Sequence, residues 1–330
     1  MYANFYLNAA DTLGLKYSIR NEKMGLATIT KGDTTLDISS IILGVNSQLS
    51  GCLSENKVKT STLLQEQNIP VPKFQTFEDP EHAIAFALEE LHKKKSVVIK
   101  PISGSLSIGI TVSPASLTQI KSAVKEAFIG NSEIMIEEYI PGRHFRITVL
   151  DDEVIAITER IGANVEGDGK STVLELIAQK NVQRKKEFLP EIYLRRKDLE
   201  YLKNEKIELL KIYPKGVSIT LQLGCDLDIG GERVRIDRNL IPKVNSELFI
   251  NAIATLGLRF GGIDFITPDI TIPYTTIPSA INEINSCPDS DVHYRDTKNY
   301  DNYAAERIIE KIFFGKTESG LKIKVNQNLT

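Results

Sequence analysis

The chain has 330 residues, 42% apolar and 25% charged, which is the make-up of an ordinary globular protein and excludes collagen-like, disordered and membrane-spanning classes. Forty basic side chains stand against forty-three acidic ones, a formal net charge of −3, so no overall field draws the molecule to nucleic acid or to an anionic membrane. The three cysteines, Cys52, Cys225 and Cys287, form no CxxC pair, which argues against zinc or redox motifs and for reduced, packed thiols in a cytoplasmic protein.

MYANFYLNAADTLGLKYSIR has no basic head leading into an apolar core, so no signal peptide is expected. A short helix over Asn4 to Leu13 is followed by strands at Lys16 to Ile19, Leu26 to Thr30 and Thr34 to Ile38, the last after a Gly32-Asp33 turn. Ser54 is expected to cap a helix that IPVP stops, and a second unit begins there. In that unit the order is strand (Phe74 to Phe77), helix (from Asp79-Pro80 to about Lys94) and strand (SVVIK). A Gly- and Ser-rich turn, a strand, a helix capped at Ser113-Pro114 and the strand EIMIEEYI follow, an α+β lobe with its helices on one face. From Phe145 a hairpin carries Asp151 and Asp152 in its turn. Residues 180 to 197 hold the one basic patch, and further strands surround a helix from about Ser246 to Leu256.

Three segments suggest chemistry. Lys100 ends a buried strand before SGSLSIG, whose small residues would let backbone N–H groups approach phosphate, although a plain hairpin turn reads equally well. GDGKST, residues 167 to 172, falls short of a phosphate-binding P-loop because the glycine required five positions before Gly169 is Asn164; it reads as a helix-capping turn. Asp264 lies in GGIDFI, while Glu283 and Asn285 in INEIN have period-two spacing and share one strand face. Such an all-oxygen set suits magnesium, and a solvated sheet face would show the same alternation.

In their order along the chain these pieces resemble the ATP-grasp superfamily: a lysine heading the helix that ends in IPVP, Lys-Pro before a Gly-rich loop, an acidic strand ending in YIPG, then Asp and Glu-x-Asn. RIGANVEGDGKSTVLELIAQKN, GERVRIDRNL, GGIDFITPDI and INEINSCPDSDVH look like the ATP-grasp module of cyanophycin synthetase and of the fused bacterial glutathione synthetases. The resemblance implies an α+β ATP-grasp fold with the nucleotide between two lobes, divided as a reduced N-terminal domain (1–68), a small lobe (69–142) and a C-terminal lobe with the metal and substrate site (143–330). It implies ATP and two magnesium ions, with manganese able to substitute. Lys57 and Lys100 would contact phosphates, under a loop formed by Ser103, Gly104, Ser105, Ser107 and Gly109. Glu137, the carbonyl of Glu138 and the amide of Ile140 would read adenine. Asp264, Glu283 and Asn285 would hold metal, and Arg146, Arg160, Arg235 and Asn239 would lie by the phosphate and the acceptor carboxylate.

The implied reaction is ATP-dependent amide formation through an acylphosphate on amino acids or a small peptide, by a homodimer that needs no nucleic acid or membrane. Two other readings are a ligase whose basic 180 to 197 stretch grips an acidic peptide or protein segment, and an inactive ATP-binding scaffold. Several positions depart from the family. His144 stands where the acid that holds ribose is usual, Asn56 replaces an Asp, and Leu240-Ile241-Pro242-Lys243 and Pro288-Asp289 replace Gly-rich and Pro-Gly segments by the acceptor, which argues for an altered substrate. The sequence closes on FGKTESGLKIKVNQNLT with no second ligase domain, so a stand-alone module is expected.

Overall fold

The computed structural model describes residues 4–315 except 104–107, 188, 223, 226, 294, 297–298 and 301–302. Its contacts divide into two compact units, residues 1–44 with 301–330 and residues 45–300. Helices Gln48–Glu55 and Lys57–Glu66, placed before the expected boundary at 68, fall in the second unit because they pack on strand Ala280–Asn285.

In the first unit, helix Asn4–Thr12 buries Tyr6, Leu7, Ala9 and Ala10, and Gly14, at φ +67°, follows its end. Strands Lys16–Asn21, Leu26–Lys31, Thr34–Ser39 and Ile42–Leu43 form an antiparallel meander in chain order. Ala27 and Ile29 on one strand and Leu36 and Ile38 on the next alternate inward, as a half-buried sheet requires. Helix Tyr303–Phe314 turns Ala304, Ala305, Ile308, Ile309 and Phe313 inward and packs on helix Asn4–Thr12. The Lys31 ammonium donates to the Phe313 carbonyl at 3.0 Å and lies 3.3 Å from the Phe314 ring centre, at the C-terminal end where a cation is favoured.

In the second unit, the small lobe is an antiparallel sheet in the order Phe74–Phe77, Ile134–Glu138, Val97–Pro101, Thr111–Val112. Helices Pro80–His92 and Leu117–Ala127 supply Ala83, Ala87, Ile120, Ala123 and Val124 to one core with Val97, Ile99, Ile134 and Ile136. Asp79 and Pro80 start the first helix as expected. The second is capped by Ser116, not Ser113: the backbone of Ser113 is left-handed at φ +50° and its N–H donates to Val97, so it belongs to the preceding turn. Ser54 likewise closes helix Gln48–Glu55, its hydroxyl on the Gly51 carbonyl, and Asn56 caps the next helix by accepting from the Lys59 N–H.

The larger sheet is antiparallel in the order Glu232–Ile236, Glu153–Ile161, Arg143–Leu150, Phe260–Thr267, Ala280–Asn285. One face carries Phe145, Ile147, Val149, Ile157, Ile263 and Phe265 against Leu248, Phe249, Ala252 and Ile253 of helix Lys243–Thr255, with Phe249 edge-on to Phe265 at 5.0 Å. Each buried phenyl contributes about 2–3 kcal/mol, so this face fixes the register and leaves the other free for polar work. The Asp151-Asp152 turn forms as expected, and Arg259 grips Asp151 in a two-point ion pair at 2.8 and 2.9 Å.

Strands Asn164–Glu166 and Ser218–Thr220 with helices Val173–Lys186 and Arg196–Asn204 build a further core around Val165, Val173, Leu176, Leu202 and Ile219. GDGKST is the capping turn expected. Asp168 accepts from the N–H groups of Lys170 and Ser171 and from the Ser171 hydroxyl, which draws its carboxyl down to about 2, and Thr172 with Glu175 completes a capping box. Three side chains of the basic stretch are engaged by the fold, while Lys185, Lys186 and Arg196 stay exposed. Lys180 pairs with Glu232, the buried Arg184 guanidinium donates to the carbonyls of Pro190 and Gly231, and Arg195 pairs with Asp198. Among the described residues no helix is long and apolar enough to cross a membrane.

Candidate active site on the polar sheet face

Strand pairing determines which residues meet. Arg235, Thr158, Arg146, Asp264 and Glu283 form one row across the five strands, each directly opposite the next. Residues two positions along share the face, so Arg160 and His144 form an adjoining pair on one side while Gly262 and Asn285 do so on the other. The expected common face of Asp264, Glu283 and Asn285 is therefore present.

Asp264 is the electrostatic centre. Arg146 Nε reaches its Oδ1 at 2.6 Å and Arg160 Nη2 its Oδ2 at 2.8 Å. Burial alone would raise this carboxyl, but the two guanidiniums outweigh it and hold it at about 2, so it is ionised at neutral pH. The buried Nε of Arg160 has no hydrogen-bond partner among the described residues. Glu283 meets Lys57, the first residue of helix Lys57–Glu66, at 3.0 Å. The Lys57 backbone N–H donates to the Ile102 carbonyl, which pins the helix start to the end of the Lys100 strand.

A second ion pair, Lys100 with Glu137, lies at 2.7 Å with both side chains under 5% exposed. Burial raises the Glu137 carboxyl, Lys100 and then Lys57 oppose that rise, and Glu283 adds to it, so the two lysines and two glutamates feel one another. Glu138 is exposed and its carboxylate accepts from the Lys73 N–H at 3.1 Å, while Ile140 is half-buried just beyond the strand. Ser103 donates to the Asn131 side chain, and Gly109 has φ +70°. Gly104, Ser105 and Ser107 lie outside the described residues.

His144 is half-buried, and burial followed by the neighbouring Arg160 lowers its pKa, so it faces the site as a neutral imidazole. Asn239 is not on the active-site strand. That strand ends at Ile236, and Asn239 sits on the turn Arg238–Leu240, beside the Glu153 end of the hairpin and off the Arg146–Asp264 row. Cys287 and Cys52 are exposed, not packed, whereas burial pushes the Cys225 thiol up to about 11.

Sequence reasoning passed over three residues that complete this face. His293, on the turn Ser290–His293, is buried with Nε2 at 2.7 Å from the Thr148 hydroxyl and Nδ1 at 2.8 Å from that of Thr158. The only signal was a threonine at an otherwise apolar point of each strand, in FRITVL and IAITER.

Among the described residues no three His, Cys, Asp or Glu side chains converge tightly enough to hold a metal ion by themselves. The candidate set is two ionised or ion-paired carboxylates and one amide oxygen on adjoining positions, hard donors that fit magnesium and leave coordination positions to water and phosphate.

Residues 54–186 match the family model of the RimK-like ATP-grasp domain. The chain is 31% identical over 224 residues to the glutathione biosynthesis bifunctional protein GshAB of Streptococcus mutans, covering 66% of this chain and 29% of that protein. It is 28% identical over 315 residues to the cyanophycin synthetase of a Nostoc species, covering 93% and 33%. The crystal structure of a bifunctional glutathione synthetase from Pasteurella multocida superposes with TM-score 0.65 at 25% identity, covering 94% of this chain and 44% of that one. The chain thus spans about a third of the length of these curated relatives. The two-lobed arrangement with its acidic late strands is an ATP-grasp fold, and the protein carries a RimK-like ATP-grasp domain.

Proposed function

We propose that the protein is an ATP-dependent carboxylate–amine ligase acting on an amino acid or small peptide. The observation that carries this reading is the run of alternating fixed charges, Arg146–Asp264–Arg160 beside Glu283–Lys57, on a rigid sheet face next to the buried Lys100–Glu137 pair. Such a surface suits a reaction in which negative charge is moved between oxygens, because preorganised cations need no rearrangement as the charge develops. In that reaction a carboxylate oxygen takes the γ-phosphoryl group of ATP, releasing ADP, and an amine then displaces phosphate from the acylphosphate.

Lys57 and Lys100 would bind phosphate oxygens, and Arg146 and Arg160 would pair two-point with phosphate or the acceptor carboxylate. Asp264, Glu283 and Asn285 would hold magnesium, which supplies Lewis-acid neutralisation of phosphate charge when bound. No side-chain nucleophile is needed, and Cys225, with its thiol near 11, would make a poor one at neutral pH. Neutral His144 could offer the ribose one hydrogen bond where the family has a carboxylate. We retain a cytoplasmic location and a homodimer as part of this reading.

The test is product release from purified protein with Mg-ATP and amino-acid pools, with and without hydroxylamine. ADP, phosphate and a hydroxamate appearing only with particular pools support the reading. AMP and pyrophosphate refute it.

A further inference from the structure

The segment from Ser286 to His293 follows the strand that carries Glu283 and Asn285, and it returns over the polar face instead of leaving it. Two of its residues press on the surroundings of Arg146. A Cβ added at Gly262 would meet the Pro288 Cβ at 2.5 Å and the Arg146 Cδ and Nη1 at 3.3 Å, so the arginine stem passes over Gly262 beside Pro288. His293 closes the other side, bonded to Thr148, two residues from Arg146 on the same strand, and to Thr158, directly opposite Arg146. Of the charged groups acting on this imidazole, Arg146 acts most strongly, followed by Arg233, Arg235 and Arg160.

Burial with four arginines nearby drives the imidazole far towards its neutral form, to about 3. A neutral ring has one N–H and one bare nitrogen, so one threonine hydroxyl must accept while the other donates. Thr148 and Thr158 are themselves almost wholly buried, at 0% and 1% exposure. The ring is thus a fixed strut between two strands that adds no charge of its own to the cationic face.

We propose that His293 is a positioning residue that, through its bonds to Thr148 and Thr158, locks the Ser286–His293 segment onto the sheet and so holds the Arg146 guanidinium in one orientation on Asp264. In the ligase reading, on which this inference rests for its catalytic consequence, Arg146 is then delivered ready-aimed to the substrate anion. Preorganised geometry of this kind governs rate more than ground-state binding.

The experiment compares Thr148→Val and Thr158→Val, which keep shape and remove the hydroxyl, with Thr148→Ser and Thr158→Ser, which keep the hydroxyl, and adds His293→Ala. The first readout needs no turnover: hydrogen exchange of the Arg146 Nε–H by ¹⁵N NMR, assigned by its loss in Arg146→Lys. The expected result is exchange at least tenfold faster in the valine and alanine variants and within twofold of wild type in the serine variants. Turnover should fall at least tenfold in kcat with KM for ATP within twofold, again restored by serine. Valine variants that fold and keep the wild-type Nε–H exchange would overturn the proposal. So would serine variants that lose protection as fully as valine, or valine variants that fail to fold, since the hydroxyls would then serve packing or overall stability. If the wild type turns over no acid and amine, the ligase reading fails while the exchange data still decide the role of His293.

Discussion

Asp264→Asn removes one charge from a carboxylate that two half-buried guanidiniums share, and the structure sets the size of the effect. The Asp264 carboxyl lies at about 2 against an ordinary 3.8. That displacement corresponds to about 2.5 kcal/mol of folding stability at neutral pH, at roughly 1.4 kcal/mol per pH unit. Leaving Arg146 and Arg160 without their counter-charge takes the full cost towards about 3–5 kcal/mol, the range for breaking one partner out of a buried ion pair.

The sign follows from the lowered pKa. The contribution is complete above the unfolded value of 3.8, and it is lost as pH falls through 3.8 towards 2, where the unfolded chain binds a proton that the folded carboxyl refuses. Urea unfolding followed by circular dichroism should therefore show a constant deficit for Asp264→Asn between pH 7 and about pH 5, narrowing at pH 3. A variant as stable as wild type at pH 7, or a deficit that grows on acidification, would refute the reasoning that Arg146 and Arg160 depend on this carboxylate.

Glu283→Gln, whose partner Lys57 retains its helix position through the backbone bond to Ile102, should lower magnesium-dependent turnover at least a hundredfold while shifting Tm by only a few degrees; unchanged activity would remove Glu283 from the site. Glu137→Gln strands Lys100 among buried groups and should cost about 3–5 kcal/mol by urea unfolding, with the pair Lys100→Met, Glu137→Leu recovering most of it. Gly167→Ala drives a methyl to 2.4 Å from the Pro214 carbonyl and should cost about 1–3 kcal/mol, read as faster hydrogen exchange confined to residues 163 to 221.

What could be read from the chain alone follows how local the cause is. Glu283 and Asn285 were recognisable as a pair because strand alternation is set within three residues, and the Asp79-Pro80 helix start because capping chemistry spans one turn. Ser113 and Ser116 are three residues apart and equally good caps in isolation. The hydrogen bond from Ser113 N–H to Val97 decides between them, and it belongs to the sheet. Lys180 and Arg184 read as part of a basic patch until Glu232 and the carbonyls of Pro190 and Gly231 are brought to them by folding. His293 shows the limit most plainly: its two partners are 145 and 135 residues away, and nothing next to it in the chain announces them.

The first unit is assembled from both arms of the chain, with helix Asn4–Thr12 finding its partner in helix Tyr303–Phe314. On the ribosome these two are made far apart in time. At about 5–20 residues per second, the nearly 300 residues between them take roughly 15–60 s to synthesise. Throughout that interval Tyr6, Leu7, Ala9 and Ala10 have their own meander sheet but not the second helix, and Lys31 has no ring beneath it. The ATP-grasp unit at residues 45–300 emerges complete before the first unit can close. Its folding can thus run ahead, and helix Tyr303–Phe314 finishes the structure that helix Asn4–Thr12 began.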